Sequence, residues 1–99
     1  MRAVTYSDLA AVAGALYLVD ASARPTLCHE LFHQADIADR YTRRLGKTHP
    51  KWGRGTLLEA ACQHPLIVDP GFVDPEYCAC FSLALKQLQN KYSLSLCKS

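Results

Sequence analysis

Apolar residues recur at helical spacing along most of this chain. Leu9, Val12, Leu16 and Val19 stand at i, i+3, i+7 and i+10, one face of an amphipathic helix. That spacing predicts a first helix over about residues 7–20, with Thr5 or Ser7 as its N-cap. A second helix is expected to open at Pro25, a residue suited to a first helical position. It stops before Gly46, which accepts the left-handed conformation that ends helices. Its core stripe is Leu27, Leu31, Ala35, Ala38, Thr42 and Leu45, with Phe32 and Ile37 near the polar arc and available to a neighbouring chain. Thr56 and Glu59 form a capping box that opens a short third helix. Asp74, Pro75 and Glu76 open a fourth, supplying an N-cap, a proline at the first turn and an acid for the helix dipole. Tyr77, Phe81, Leu85, Leu88 and Tyr92 are its expected buried stripe.

Residues 64–73 join the third and fourth helices through turns fixed by Pro65, Pro70 and Gly71. Leu66, Ile67, Val68 and Phe72 are expected to plug one end of the core there. A short strand in this segment would lack a partner strand and form no sheet. The tail, residues 93–99, alternates apolar and polar positions and is read as a frayed or extended end. The expected fold is therefore all-α: a compact single-domain bundle of about four helices spanning residues 1–99, with a Pro/Gly-rich loop between helices three and four.

Composition narrows the class. The chain has 99 residues, 49% of them hydrophobic and 20% charged, enough for one modest core that buries about 65% of the unfolded surface. Barrels and doubly wound nucleotide-binding folds need more chain. No apolar run approaches the ~20 residues of a membrane span. The five cysteines (Cys28, Cys62, Cys78, Cys80, Cys97) are odd in number and follow no disulfide or zinc-finger frame. Reduced thiols used as small buried hydrophobes are the expected reading. The amino-terminal apolar run ending in Ala21-Ser22-Ala23 mimics a secretory signal. Asp8 and Asp20 stand where such a signal tolerates acids badly, so a core helix and cytoplasmic residence are expected. Secretion after cleavage near Ala23 is the alternative.

Charge changes the picture more than its total of +2 indicates. Residues 40–54 carry six cations (Arg40, Arg43, Arg44, Lys47, Lys51 and Arg54) and no acid, whereas the remainder holds all nine acids against five cations. Such asymmetry creates a local positive potential for phosphates or an acidic partner surface. Tyr41, His49 and Trp52 lie among the cations, and Trp52 can stack on a base or pack over an arginine. Gly53 and Gly55 would let the backbone approach a ligand, and the amides that start the third helix would favour an anion. The competing reading is structural. Asp36 with Arg40 and Asp39 with Arg43 are i, i+4 pairs worth ~0.3–0.5 kcal/mol each, and cations near a helix C-terminus are favoured by its dipole.

The second candidate is His29-Glu30-Leu31-Phe32-His33, an HExxH string. Two imidazoles one turn apart can ligate zinc while the glutamate polarises water as the general base. A longer metzincin pattern would place its third ligand at Asp39, but Asp36 stands where the chain needs a glycine to turn. A minimal zinc-dependent hydrolase on this helix is thus the alternative to a non-catalytic protein without a cofactor; structural zinc with Cys28 is a third possibility. Nothing in the spacing points to a cysteine nucleophile paired with His49 or His64.

The segment Ala35-Asp36-x-Ala38-Asp39-Arg40-Tyr41-x-Arg43-Arg44-x-Gly46, followed by His49-Pro50-x-Trp52-Gly53-x-Gly55-Thr56-Leu57, resembles a family of short uncharacterised bacterial proteins of alphaproteobacterial type. Asp74-Pro75-x-Tyr77 extends the likeness, and the HExxH string lies outside it. The resemblance implies a cytoplasmic, single-domain helical protein and carries no function. The expected function is a small binding or adaptor domain without catalysis. Its surface is Arg40, Arg43, Arg44, Lys47, His49, Lys51, Trp52 and Arg54, facing an acidic protein or nucleic acid.

Overall fold

A computed structural model describes residues 2–97, with side chains as far as Tyr92. Four helices follow in order: α1 (Tyr6–Tyr17), α2 (Arg24–Leu45), α3 (Leu57–Ala61) and α4 (Pro75–Cys97), with a single 3-10 turn over Ala21–Ala23 before α2. No strand occurs among the described residues; one isolated bridge joins His49 and Gly53. The all-α bundle expected from the apolar spacing is what the chain forms. The tail segment expected to fray or extend continues α4 as far as Cys97, and its last two residues lie outside the described ones.

Each helix starts where the local chemistry places it. Thr5 caps α1, and its amide and hydroxyl both donate to Asp8 Oδ2, at 2.8 and 2.9 Å. Thr56 accepts the Glu59 amide and donates its hydroxyl back to Glu59, closing the expected capping box. Asp74 Oδ1 accepts the amides of Glu76 and Tyr77 at the start of α4. Gly46 ends α2 at φ +67°.

The core is built from Leu9, Val12 and Leu16 of α1, Leu31 and Ala35 of α2, Leu57 of α3, and Tyr77, Cys80, Phe81 and Ala84 of α4. Phe32, expected near the polar arc, is 3% exposed and belongs to this core. Three stripe residues come out instead: Leu45, Leu85 and Tyr92 are 51%, 45% and 46% exposed. Leu45 lies on the last turn of α2. On α4 the buried line runs through positions 77, 80, 81 and 84, which leaves Leu85 on its border. Of the four apolar residues of the 64–73 loop, Ile67 is the half-buried one packed against the core, and its backbone crosses α1 at Gly14. Val68 is 91% exposed, and Phe72 is half exposed with its ring edge-on to Phe81.

Two polar networks lock the helices together. Asp8, only 5% exposed, also accepts the Leu58 amide on Oδ1 at 3.0 Å, tying α1 to the start of α3. Arg24 donates to the Leu16 and Tyr17 carbonyls that end α1, and reaches Glu76 of α4 at 2.6 Å. Beside it, the Tyr17 hydroxyl donates to Asp74 at 2.8 Å. That bond holds the phenol above its ordinary pKa and the carboxyl below its own.

Cys28, Cys62, Cys78 and Cys80 are free thiols, and burial pushes Cys28 up to about 11. At pH 7 its thiolate fraction is then on the order of one in ten thousand. A thiol-alkylating reagent applied to the folded protein is expected to label exposed Cys62, and to reach Cys28 and Cys80 only as the bundle opens. Peptide mass spectrometry over time checks this; equal rates at Cys28 and Cys62 would contradict the packing of α2.

Candidate binding surface

The basic stretch occupies the last turns of α2 and the loop to α3. That loop is folded and held against α2. His49 and Gly53 exchange backbone hydrogen bonds at 2.9 and 3.2 Å, making a tight turn. His49 Nδ1 accepts the amides of Lys51 and Trp52 inside that turn. The imidazole is stacked on Trp52, with centroids 4.8 Å apart and planes 7° from parallel. Its other contact is edge-on to Tyr41 of α2 at 4.9 Å. This ladder of three rings fastens the loop to the helix.

Gly55 closes the arrangement. Its φ is +106°, and a Cβ there would lie 2.5–2.8 Å from Asp39 Cβ, Cα and N, so the loop backbone rests directly on the α2 backbone. A Cβ on Gly53 would collide with the Glu59 side chain. Both glycines were expected to admit a ligand; the structure uses them for packing of the chain against itself. The amides at the start of α3 are likewise engaged, Leu58 by Asp8 and Glu59 by Thr56. The anion expected there is an internal carboxylate.

Arg43 makes a two-pronged contact with Asp39, both N–O distances being 3.2 Å. Burial pushes the Asp39 carboxyl up, but Arg43 is among the groups that pull it below its ordinary value. The expected Asp36–Arg40 pair does not form. Asp36 turns to Lys91 of α4 at 2.6 Å, because α4 runs beside this face of α2. Burial pushes the Asp36 carboxyl up too, and Lys91 is among the groups holding it low. Arg40, Arg44, Lys47, Lys51 and Arg54 make no ion pair with any described residue.

Two features were missed in the sequence. Arg2 donates its amide to the Gly55 carbonyl and its Nε to the Arg54 carbonyl, each at 3.0 Å, adding a cation to the loop from the far end of the chain. Beside the loop, His33, Ile37, Arg40, Tyr41, Arg44 and Leu45 line an open groove of about 690 Å3 on the outer face of α2.

His29, Glu30 and His33 are exposed on α2. The two imidazoles border a smaller cleft of about 230 Å3 with Asp36, Gln87, Asn90 and Lys91. Asp39, the position a third ligand would take, is instead buried beneath Gly55 and faces Arg43. Among the described residues no three His, Cys, Asp or Glu side chains converge as a metal-binding group.

Over residues 2–88 the sequence matches a family described as a domain of unknown function (DUF7742). The chain belongs to this family. The match takes in α1, the HExxH string and most of α4. No curated protein and no solved structure matches the chain. Among the described residues no helix of this DUF7742 member is long and apolar enough to cross a membrane.

Proposed function

We propose that this DUF7742 protein is a non-catalytic binding or adaptor domain whose basic corner, residues 40–54 with Arg2, engages an acidic protein partner. The observation that carries the reading is the contrast between two sets of cations. Arg24, Arg43 and Lys91 each hold a carboxylate within 3.2 Å, whereas five cations of the corner meet none among the described residues. Cations close in sequence that the fold does not neutralise itself support the reading, since such charge steers and orients an acidic surface. A protein fits better than nucleic acid on two counts. Trp52 already spends a ring face on His49, and the groove beside it offers aliphatic surface rather than a run of phosphate contacts.

Cytoplasmic residence and the bacterial, alphaproteobacterial-type origin belong to the same reading. The reading of the amino terminus as fold and not as a cleaved signal is supported by α1, whose Leu9, Val12 and Leu16 are core residues that cleavage near Ala23 would remove.

Reversing Arg40 and Arg44 to glutamate is the test. Arg43 is the wrong choice, since an acid there would face the buried Asp39 carboxylate. In fluorescence anisotropy at low salt, a labelled polyglutamate peptide is expected to bind the parent and lose at least tenfold in affinity for the double variant. Thermal melts of the two proteins are expected to differ by only the few degrees that an acid in the last turn of α2 costs through the helix dipole. Tight binding of a labelled oligonucleotide with none of polyglutamate would overturn the choice of partner, and no binding of either would overturn the surface.

A further inference from the structure

We infer that the groove on the outer face of α2 seats an acidic amphipathic helix; this deepens the proposed function and rests on it. α2 carries two apolar stripes. Leu31, Ala35 and Ala38 face the core, while Ile37, Tyr41 and Leu45 follow one another every four residues along the groove. Leu45, at the far end, is half exposed. The lining runs from position 33 to 45, roughly 18 Å at 1.5 Å per residue, the length of about three helical turns.

The charges beside the stripe are unbalanced in one direction. Arg40 and Arg44, one turn apart, line the same groove without an ion pair among the described residues. The two acids of α2 nearest these arginines in sequence are engaged: Asp36 reaches Lys91 and Asp39 reaches Arg43. What complements this face is an apolar ridge bordered by carboxylates. Guanidinium forks hold carboxylates through paired hydrogen bonds, which fixes the register of such a ridge better than ammonium groups would.

Secondary structure of the occupant follows from the backbone. A helix offers no free edge of amides and carbonyls, so an extended segment laid on α2 would leave its own backbone groups unmatched. A helix satisfies them internally and presents apolar residues at i, i+3, i+4 and i+7, the spacing that an aliphatic groove recognises. Tyr41 lines the groove and touches His49, which stacks on Trp52, the single tryptophan. Occupancy therefore reaches a fluorescent reporter through two ring contacts.

The full chain is titrated with three labelled peptides: an amphipathic one with leucines at i, i+3, i+4 and i+7 and glutamates between, a scrambled peptide of the same composition, and polyglutamate. The amphipathic peptide is expected to bind at least tenfold more tightly than the scrambled one. It is also expected to gain helical circular dichroism on binding and to shift Trp52 emission. Leu45→Ser, at an exposed position that leaves the core and every cation of the corner in place, is expected to abolish that preference. Equal binding of the scrambled and amphipathic peptides, or an amphipathic peptide that stays unfolded when bound, overturns the helical occupant and leaves the basic surface standing. Failure of all three peptides overturns both.

Discussion

Gly55→Ala is expected to lower the stability of the protein by about 3 kcal/mol or more, moving the melting temperature down by roughly 12–24 °C. Two costs combine. At φ +106° an L side chain is strained whatever space surrounds it. The space is also taken, and by the Cα and amide nitrogen of Asp39 in the middle of a 22-residue helix. Neither atom can rotate away as a side-chain tip would. The loop must lift from α2, which loosens the Arg2–Gly55 hydrogen bond and moves Arg54 with it. Gly46 supplies the control. It too has positive φ, +67°, but nothing lies within 4 Å of its would-be Cβ. Gly46→Ala is therefore expected to cost only about 1 kcal/mol. Thermal melts of the two variants beside the parent decide the matter, and equal losses would mean that the loop does not rest on α2.

The contrast between those glycines marks what the sequence could disclose. Gly46 was legible, because a helix that has run its periodic course stops at a residue tolerant of the left-handed region. The caps at Thr56 and Asp74 were legible for the same reason: their partners lie two or three residues away. Gly55 was visible as a special residue but not its neighbour, since Asp39 precedes it by sixteen positions. The Asp8–Leu58 bond, the Arg24–Glu76 bridge and the Arg2–Arg54 contact join residues 50 or 52 apart, and no periodicity encodes them. Helical spacing likewise named the buried faces without fixing how far each helix stays covered, so Leu45 and Leu85 were expected inside. Of the candidate surface, the run of cations was plain to see. The groove was only half visible: Ile37 reads as near the polar arc and Tyr41 as one of the rings among the cations, but Leu45 carries the same apolar signature as core residues, and only the placement of α1, α3 and α4 shows which stripe of α2 is left uncovered.

Asp8→Ala is expected to cost about 2–4 kcal/mol, since one buried carboxylate serves two helix starts. It accepts the Thr5 amide and hydroxyl on Oδ2 and the Leu58 amide on Oδ1, and these bonds to a charged acceptor are the stronger kind. Truncation leaves the Thr5 and Leu58 amides without the acceptor that satisfies them and removes the negative charge from the positive ends of α1 and α3. Asp8→Asn separates the contributions. Its amide keeps one acceptor oxygen, yet its NH2 group must face either the Thr5 donors or the Leu58 donor, so one helix start keeps its bond and the other meets a repulsive donor. A loss intermediate between parent and alanine variant is expected from chemical denaturation. Amide exchange locates it: the Leu58 amide is expected to exchange at least tenfold faster in Asp8→Ala, while protection in the middle of α4 falls only by the global loss in stability. Parent-like denaturation of Asp8→Ala would mean that α3 is held by Leu57, Ala60 and Ala61 alone, and that the carboxylate is buried without holding anything together.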